Sequence, residues 1–299
     1  MKKEGEVMLC ASCGTAGSDN IKLKKCTACY LVRYCSVKCQ RDHRPQHKKA
    51  CKKRAAELHD QILFKQPEST HLGDCPICCL PLPLDPQKSD MISCCSKKVC
   101  FGCTHANMIR ETEGRLQPKC PFCRTAVPDT EEENNEQLMK RIEVNDPVVI
   151  CYMGTVKYHE GSYRAAFEYL TRAAALGNVA AHYELSVMYH EGRGVEKDKK
   201  KQRHHLTEAA IAGHPKARHN LGCMEWENDR FDRAAKHYII AANLGYDMSL
   251  EQVKNLYKDG FISKDDFTAA LRGYQAAIEE TKSPQREEAA KFYAELIEG

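Results

Sequence analysis

The stretch from Cys75 to Arg124 reads CPICCLPLPLDPQKSDMISCCSKKVCFGC, then sixteen further residues, then CPFCR. It contains three Cys-x2-Cys pairs, and the adjacent thiols Cys94 and Cys95 stand between the first two pairs. Eight thiolates fill two tetrahedral zinc sites with four ligands each, which is the closed arrangement of structural zinc. One such pair is weak evidence, but this combination predicts that two zinc ions fold the segment.

Cysteine usage divides the chain of 299 residues into two parts. Sixteen of its 18 cysteines precede residue 124, and only Cys151 and Cys223 follow. The N-terminal sequence MKKEGEVML lacks the apolar core of a signal peptide, and no long apolar run is present. We therefore expect a protein inside the cell, in the cytoplasm, the nucleus or both, with no membrane association. In that reducing environment metal ligation is favoured over disulfides.

A second cysteine-rich segment lies upstream and contains CASC, CTAC and YCSVKCQRDHRPQHKKAC. His47 and Cys51 are four residues apart, so a helical turn places both on one face. The segment resembles a MYND-type zinc finger, a class that typically binds proteins, often through short proline-containing peptides. The resemblance implies two interleaved zinc sites, one formed by Cys10, Cys13, Cys35 and Cys39 and the other by Cys26, Cys29, His47 and Cys51.

Two features of this finger bear on its partners. His43 matches a non-ligand position of the family, and Arg44 replaces the usual tryptophan of the peptide-binding surface. The basic cluster KKACKKR (Lys48–Arg54) could contact phosphates or act as a nuclear import signal. No aromatic residues are interleaved to stack on bases, and the whole chain is nearly balanced with 45 basic and 41 acidic residues. Nucleic-acid binding is therefore disfavoured.

The central segment resembles an all-cysteine RING finger. The resemblance implies a first zinc site formed by Cys75, Cys78, Cys100 and Cys103 and a second formed by Cys94, Cys95, Cys120 and Cys123. Cys95 matches the all-cysteine pattern, whereas Cys94 lies one residue closer to it than the family places its ligand. Cys79 and His105 are the alternatives for that fourth position.

RING fingers of one functional class bind a ubiquitin-conjugating enzyme that carries activated ubiquitin. The residues matching that function are Ile77 in the first Cys-x2-Cys pair, Pro121 in the last pair, and Arg124 after it. Such a protein supplies no nucleophile and accelerates transfer by orienting the reactants. The alternative is purely structural, with Ile77 in a core, Pro121 forming a turn and Arg124 as a surface charge.

The last half of the chain repeats itself. Three similar segments end in glycines that are 36 and 32 residues apart: AAALGN (173–178), AAIAGH (209–214) and AANLGY (241–246). A helix pair precedes each glycine, and a period of this size is typical of an α-solenoid. LSVMYHEGRGVEKDKKKQ followed by AAIAGH resembles a Sel1-like repeat, a class of adaptors that bind other proteins. Tyr189, Trp226 and Tyr238 are expected in the core, and the helix after Pro284 is expected to cap the solenoid.

The sequence thus predicts a multidomain protein with two small zinc-stabilised cross-brace fingers and an all-α Sel1/TPR-like solenoid. We expect a RING-type ubiquitin ligase that recruits targets through its other modules. The alternatives are a non-enzymatic interaction scaffold, with a possible role in transcription, and a nucleic-acid-binding protein. The expected boundaries are 1–54 for the MYND-type finger, 55–72 for a helical linker, 73–128 for the RING-type finger, 129–145 for an acidic linker, and 146–299 for the repeats with their cap.

Overall fold

The computed structural model describes residues 8–298, with side-chain environments through Glu295. The chain forms two compact units, the first ending at Lys65 and the second beginning at Gln66. In the first unit, strands β1 (Lys24–Lys25) and β2 (Arg33–Tyr34) pair antiparallel. Helix α1 (Val37–Leu63) follows, and it runs without a break past residue 54, where the sequence placed the end of the finger.

Helix α1 begins where its first turn can be capped. Ser36 has extended backbone angles, and its side-chain oxygen accepts a hydrogen bond from the Cys39 N–H at 3.2 Å. Such a bond satisfies one of the amide groups that a helix leaves unpaired at its start. The small core of this unit consists of three cysteines and a tyrosine, namely Cys10, Cys26, Cys29 and Tyr34. So few apolar side chains bury little surface, and the fold of this unit therefore depends on cross-links.

The second unit starts with the central cysteine-rich module. Strands β3 (Ser89–Met91) and β4 (Lys98–Cys100) pair antiparallel, and helix α2 (Phe101–Glu113) follows directly. The buried core of the module again contains mainly thiols, with two aliphatic side chains: Cys75, Leu82, Val99, Cys100 and Cys103.

Helix α3 (Glu131–Glu143) occupies most of the segment 129–145, which the sequence assigned to an acidic linker. Its acidic first turn suits the positive end of the helix dipole, and Thr130 caps it by accepting from the Glu133 N–H at 3.2 Å. Leu138 and Ile142 are buried in the same apolar cluster as the first repeat helices. The acidic and polar residues at the start of the segment, DTEEENNEQ (129–137), are the reason that the sequence predicted a linker here.

Four consecutive helix pairs form the solenoid: α4 (Pro147–His159) with α5 (Tyr163–Ala175), α6 (Val179–Glu191) with α7 (Lys199–Ile211), α8 (Pro215–Trp226) with α9 (Phe231–Ala242), and α10 (Asp247–Lys258) with α11 (Lys264–Glu280). The repeat glycines Gly177, Gly213 and Gly245 have φ of 85°, 83° and 83°, a conformation that glycine adopts without strain. The residue after each of the first two glycines, Asn178 or His214, caps the next helix through its side chain.

Close approach of the paired helices depends on glycine at two equivalent places. A Cβ added at Gly154 would lie 2.8 Å from Leu170 Cγ, and one added at Gly222 would lie 2.7 Å from Tyr238 Cε1. Tyr189 and Tyr238 are buried, as the sequence predicted. Trp226 is 38% exposed and contacts the rings of Phe231 and Phe261, so the prediction of a core position for Trp226 is wrong.

The final helix, α12 (Pro284–Glu298), packs against α2 of the central module. The sequence placed this helix at the end of the solenoid as a cap. The helix packs on the central module because its aromatic side chains Phe292 and Tyr293 contact Phe101 and His105 on α2. Sequence periodicity does not identify the surface that an apolar helix face covers.

Candidate zinc-binding centres

The first unit contains two groups of four ligand atoms. Within each group the four atoms lie within 4.8 Å of one another. In the first, Cys13 Sγ and Cys35 Sγ are 3.6 Å apart, and Cys35 Sγ and Cys39 Sγ are also 3.6 Å apart. In the second, Cys29 Sγ lies 3.2 Å from His47 Nε2. The groups are the two that the MYND resemblance implied: Cys10, Cys13, Cys35 and Cys39, and Cys26, Cys29, His47 and Cys51.

His43 lies beside the second group without belonging to it. Its Nδ1 is 3.1 Å from the Tyr34 hydroxyl, and its ring stacks on the His47 ring at a centroid distance of 5.7 Å. The His43 ring therefore packs against the His47 ring from outside the ligand group.

The central module brings two further groups together, with the same 4.8 Å limit. Cys78 Sγ and Cys100 Sγ are 3.8 Å apart, Cys94 Sγ and Cys123 Sγ are 3.2 Å apart, and Cys95 Sγ and Cys120 Sγ are 3.7 Å apart. The groups are Cys75, Cys78, Cys100 and Cys103, and Cys94, Cys95, Cys120 and Cys123. Each group joins distant parts of the chain, so a bound ion would cross-link the module.

Four of the Cys-x2-Cys pairs share a backbone turn, which we call a knuckle, in which the residue after the second cysteine donates its N–H to the carbonyl oxygen of the first cysteine. In the knuckle that begins at Cys75, the Cys75 N–H donates to Leu80 O at 2.9 Å, and the Cys79 N–H donates to Cys75 O at 2.8 Å. The residue after the second cysteine of a knuckle has positive φ, and these residues are Gly14, Tyr30, Cys79 and Arg124. Cys79 therefore occupies the position that turns the chain, and its side chain is exposed.

The adjacent thiols Cys94 and Cys95 lie in the same kind of turn, shifted in register. The Ile92 N–H donates to Lys97 O at 3.0 Å, the Ser96 N–H donates to Ile92 O at 2.7 Å, and Ser96 has φ of 56°. Ile92 thus takes the place of the first cysteine, and the two thiols occupy the third and fourth positions. An ordinary knuckle accommodates the pair, so no unusual backbone bend is needed.

The two alternatives for the fourth ligand do not lie in this group. Cys79 is exposed on the first knuckle, and His105 is buried on α2 with its ring 4.6 Å from the Phe292 ring. The structure instead places Cys94 with Cys95, Cys120 and Cys123. Its role as a ligand stays a prediction.

The thiol chemistry fits a divalent cation. Hydrogen bonds from the backbone of Cys13 and Cys35 lower the pKa of Cys10 to about 6, whereas hydrogen bonds with Cys39 and Cys13 raise the pKa of Cys35 to about 12. In the fourth group the Thr125 hydroxyl lowers the pKa of Cys123 to about 6, and burial raises the pKa of Cys94.

One thiolate therefore forms readily in each of these groups, and its charge makes the next ionisation harder. A cation at the centre removes that conflict, because it favours deprotonation of every coordinating thiol. Sets of four sulfur ligands, or three with one imidazole, are those of closed structural zinc sites. The four groups are compatible with zinc, which gives four candidate zinc sites in the described part of the chain.

A cavity of about 260 Å³ lies between helices α2 and α3 and the knuckles that begin at Cys75, Ile92 and Cys120. Ile77 and Pro121 both line it, and Gln137 and Asn134 contribute from α3. Ile77 is 44% exposed, so it is only partly a core residue. Arg124 is exposed on the knuckle that begins at Cys120 and does not line the cavity.

Arg286 is a polar residue of the site that the sequence did not indicate. Its guanidinium Nη2 donates to Cys78 Sγ at 3.3 Å, across 208 positions of sequence. No spacing or motif links a basic residue in the last helix to a thiol in the central module. Only the packing of α12 on α2 reveals the contact.

Comparisons with known proteins identify the class of module at each end of the chain. A family model of the MYND finger matches residues 10–51, and a model of the Sel1 repeat matches residues 150–178, 179–214 and 215–246. The chain therefore contains a MYND finger and three Sel1 repeats. Its fold is a cysteine-rich zinc-finger region followed by an all-helical Sel1 solenoid, and such modules serve protein interaction.

Individual relatives cover parts of the chain. The "SET domain and MYND-type zinc finger protein 6" of Schizosaccharomyces pombe is 36% identical over 55 residues, which are 18% of this chain and 11% of that protein. A Sel1 repeat protein from Oxalobacter formigenes is similar in structure, with a TM-score of 0.45, 22% identity, and coverage of 58% of this chain and 71% of that one. The protective antigen c5321 of uropathogenic Escherichia coli gives a TM-score of 0.41 with 21% identity, over 55% of this chain and 37% of that one.

Within the described residues, no helix is both long and apolar enough to cross a bilayer.

Proposed function

We propose that this protein is a RING-type ubiquitin ligase in which the central module, residues 73–128, binds a ubiquitin-charged conjugating enzyme. The MYND finger and the Sel1 repeats would recruit the protein target. The observation that supports this most is that Ile77 and Pro121, on two different knuckles, line one partly apolar cavity. We place the protein in the cytoplasm or nucleus, where its thiols stay reduced.

Each proposed residue has a separate task in binding. Ile77 and Pro121 offer an apolar surface on two knuckles that zinc would hold rigid. Arg124 has φ of 64° at the turning position of its knuckle, so its side chain leaves from a defined point of the backbone. A guanidinium has five N–H donors, which suits it to bind carbonyl oxygens of two docked proteins at once. The ligase would then hold the thioester in a reactive orientation without contributing a nucleophile.

The test is a ubiquitin-discharge assay with the zinc-loaded full chain and a panel of charged conjugating enzymes. Docking can bury slightly less than half of Ile77, which is about 1 kcal/mol of the roughly 1.5–3 kcal/mol for a whole side chain. Ile77→Ala should therefore slow discharge about fivefold. Arg124→Ala removes charge-assisted hydrogen bonds of about 1.5–3 kcal/mol and should slow discharge more than tenfold.

The module offers matched controls for both substitutions. Leu116 is 51% exposed, and Arg115 is an exposed arginine with φ of 49°, close to the conformation of Arg124. Leu116→Ala and Arg115→Ala should leave discharge unchanged, and all four variants should keep their zinc. Failure of the wild-type chain to accelerate discharge from any enzyme of the panel would refute the proposal, as would full activity of both test variants.

A non-enzymatic interaction scaffold is the second candidate function. It is favoured by the family models, which match interaction modules at residues 10–51 and 150–246. A scaffold would bind its targets as tightly with Ile77→Ala and Arg124→Ala as without them, and it would show no discharge activity.

A further inference from the structure

The C-terminal helix α12 covers one face of the central module. Ala289 on α12 is fully buried, the Phe101 and Tyr293 rings lie 4.9 Å apart, and the His105 and Phe292 rings lie 4.6 Å apart. Both ring contacts involve the first turns of α2, which follows Cys100 and contains Cys103. The last helix of the chain therefore packs on the candidate zinc site formed by Cys75, Cys78, Cys100 and Cys103.

The backbones approach closely at this contact. Gly102 lies between Cys100, the last residue of β4, and Cys103 on α2, and a Cβ added there would be 2.9 Å from Arg286 Cγ and 3.0 Å from Arg286 Cα. These distances are shorter than ordinary Cβ contacts, so a side chain at residue 102 would displace the Arg286 side chain and shift the helix backbone by a few tenths of an ångström. The glycine places Arg286 directly beside the ligand group.

Arg286 connects α12 to the first knuckle through its guanidinium. Nη1 donates to Pro81 O at 2.7 Å and to Thr281 O at 2.8 Å, while Nη2 donates to Cys78 Sγ at 3.3 Å and to Leu80 O at 3.2 Å. Leu80 O also accepts the Cys75 N–H that closes the knuckle. One side chain thus holds both a ligand sulfur and the turn that carries it.

The expected negative charge of the zinc site favours a positively charged side chain beside it. A divalent zinc ion with four thiolates has a net charge of about −2, and a site with three buried ligands screens that charge poorly. Arg286 supplies a permanent positive charge and an N–H donor to one of the sulfurs. Residues that contact metal ligands from outside commonly change metal affinity by about 10–100-fold.

We propose that Arg286 and α12 form the outer shell of the zinc site built by Cys75, Cys78, Cys100 and Cys103, so that metal binding at this site and docking of the C-terminal helix stabilise each other. The coupling is reciprocal because both processes share one free energy. Loss of the ion weakens the docking of α12, and loss of the Arg286 contacts weakens the hold of this site on its metal. The other three sites lie outside the coupling.

The experiment compares Arg286→Met, Arg286→Lys and the control Arg272→Met in the full zinc-loaded chain. Arg272 is an exposed arginine on α11, so its replacement tests the loss of a charge away from the site. Zinc retention is followed by native mass spectrometry during titration with a chelator. Alkylation of the released thiols, mapped by peptide mass spectrometry, identifies which site has lost its ion.

We expect Arg286→Met to release one ion at a chelator concentration at least about tenfold lower than the wild type requires. Alkylation should then appear at Cys75, Cys78, Cys100 and Cys103. Arg286→Lys keeps the charge but loses most of the hydrogen bonds, so it should release its ion at a chelator concentration between those of Arg286→Met and the wild type. Arg272→Met should match the wild type. Equal release from Arg286→Met and the wild type would overturn the proposal.

A second measurement uses the unmodified chain and does not depend on the folding of a variant. Hydrogen exchange of the α12 amides is recorded as the chelator removes zinc. The proposal predicts that residues 284–298 lose protection in step with alkylation of the Cys75 group, while helices α4–α9 stay protected. Full protection of α12 after these four thiols have reacted would overturn it.

Discussion

Glu225 offers the sharpest test of how the repeats hold together. Its side chain is completely buried on α8, and three arginines surround it. Arg203 on α7 lies 2.7 Å from Oε1, while Arg230 and Arg233 lie 2.6 and 3.6 Å from Oε2. One carboxylate thus joins the second repeat to the third, and we predict that Glu225→Gln destabilises the solenoid.

The expected magnitude follows from the burial of the four groups. Removing one partner of a buried ion pair costs roughly 3–5 kcal/mol, because it leaves uncompensated charge inside the protein. The arginine side chains are 28–47% exposed, so water can partly solvate them after the change. We therefore expect a loss of about 3 kcal/mol in the free energy of unfolding, at the lower end of that range.

Urea unfolding, followed by tryptophan fluorescence, measures this loss. The single tryptophan of the chain, Trp226, is the neighbour of Glu225 and reports directly on this part of the solenoid. Glu251→Gln is the matched control, since Glu251 pairs with Lys254 on the surface at 2.6 Å and should change stability by less than about 0.5 kcal/mol. A loss below about 1 kcal/mol in Glu225→Gln would refute the view that this carboxylate links the repeats.

Two further predictions concern the second unit. Gly154→Ala places a methyl group against Leu170 and should destabilise by about 1–2 kcal/mol in the same urea assay, because overpacking outweighs the better helix propensity of alanine; a variant as stable as the wild type would contradict this. Burial lowers the pKa of His71 and of His205 to about 4, below the ordinary value of 6.5, so the unfolded chain binds protons that the folded chain does not. Stability is therefore complete above pH 6.5 and should fall between about pH 6.5 and 4, and urea midpoints that do not change over this interval would contradict the assignment.

The sequence was most informative where ligand spacing determines structure. The resemblances to MYND and RING fingers implied four groups of ligands, and the structure brings the same residues together. The repeat glycines likewise revealed the helix pairs, since a helix that ends in a left-handed residue leaves a clear signal in sequence. A local rule therefore identifies the repeat glycines, whereas the grouping of the ligands joins distant parts of the chain and was taken from the resemblance to known fingers.

The sequence was less informative where distant surfaces meet. Trp226 looked like a core residue, yet it lies in a partly exposed group of rings with Phe231 and Phe261. The shifted knuckle at Ile92 explains how Cys94 joins its group, but only the backbone hydrogen bonds reveal that register. The contact between Arg286 and Cys78 depends on the packing of α12 on α2, which no periodicity encodes.

The central claim is that the thiols of residues 10–123 fold this part of the chain around zinc. Native mass spectrometry of freshly purified, reduced protein tests it most directly. We predict four zinc ions per chain, one for each group of ligands. Exhaustive chelation should remove all four ions and unfold the cysteine-rich region. A folded protein that contains no zinc would contradict the account, and the proposed platform for ubiquitin transfer would fall with it.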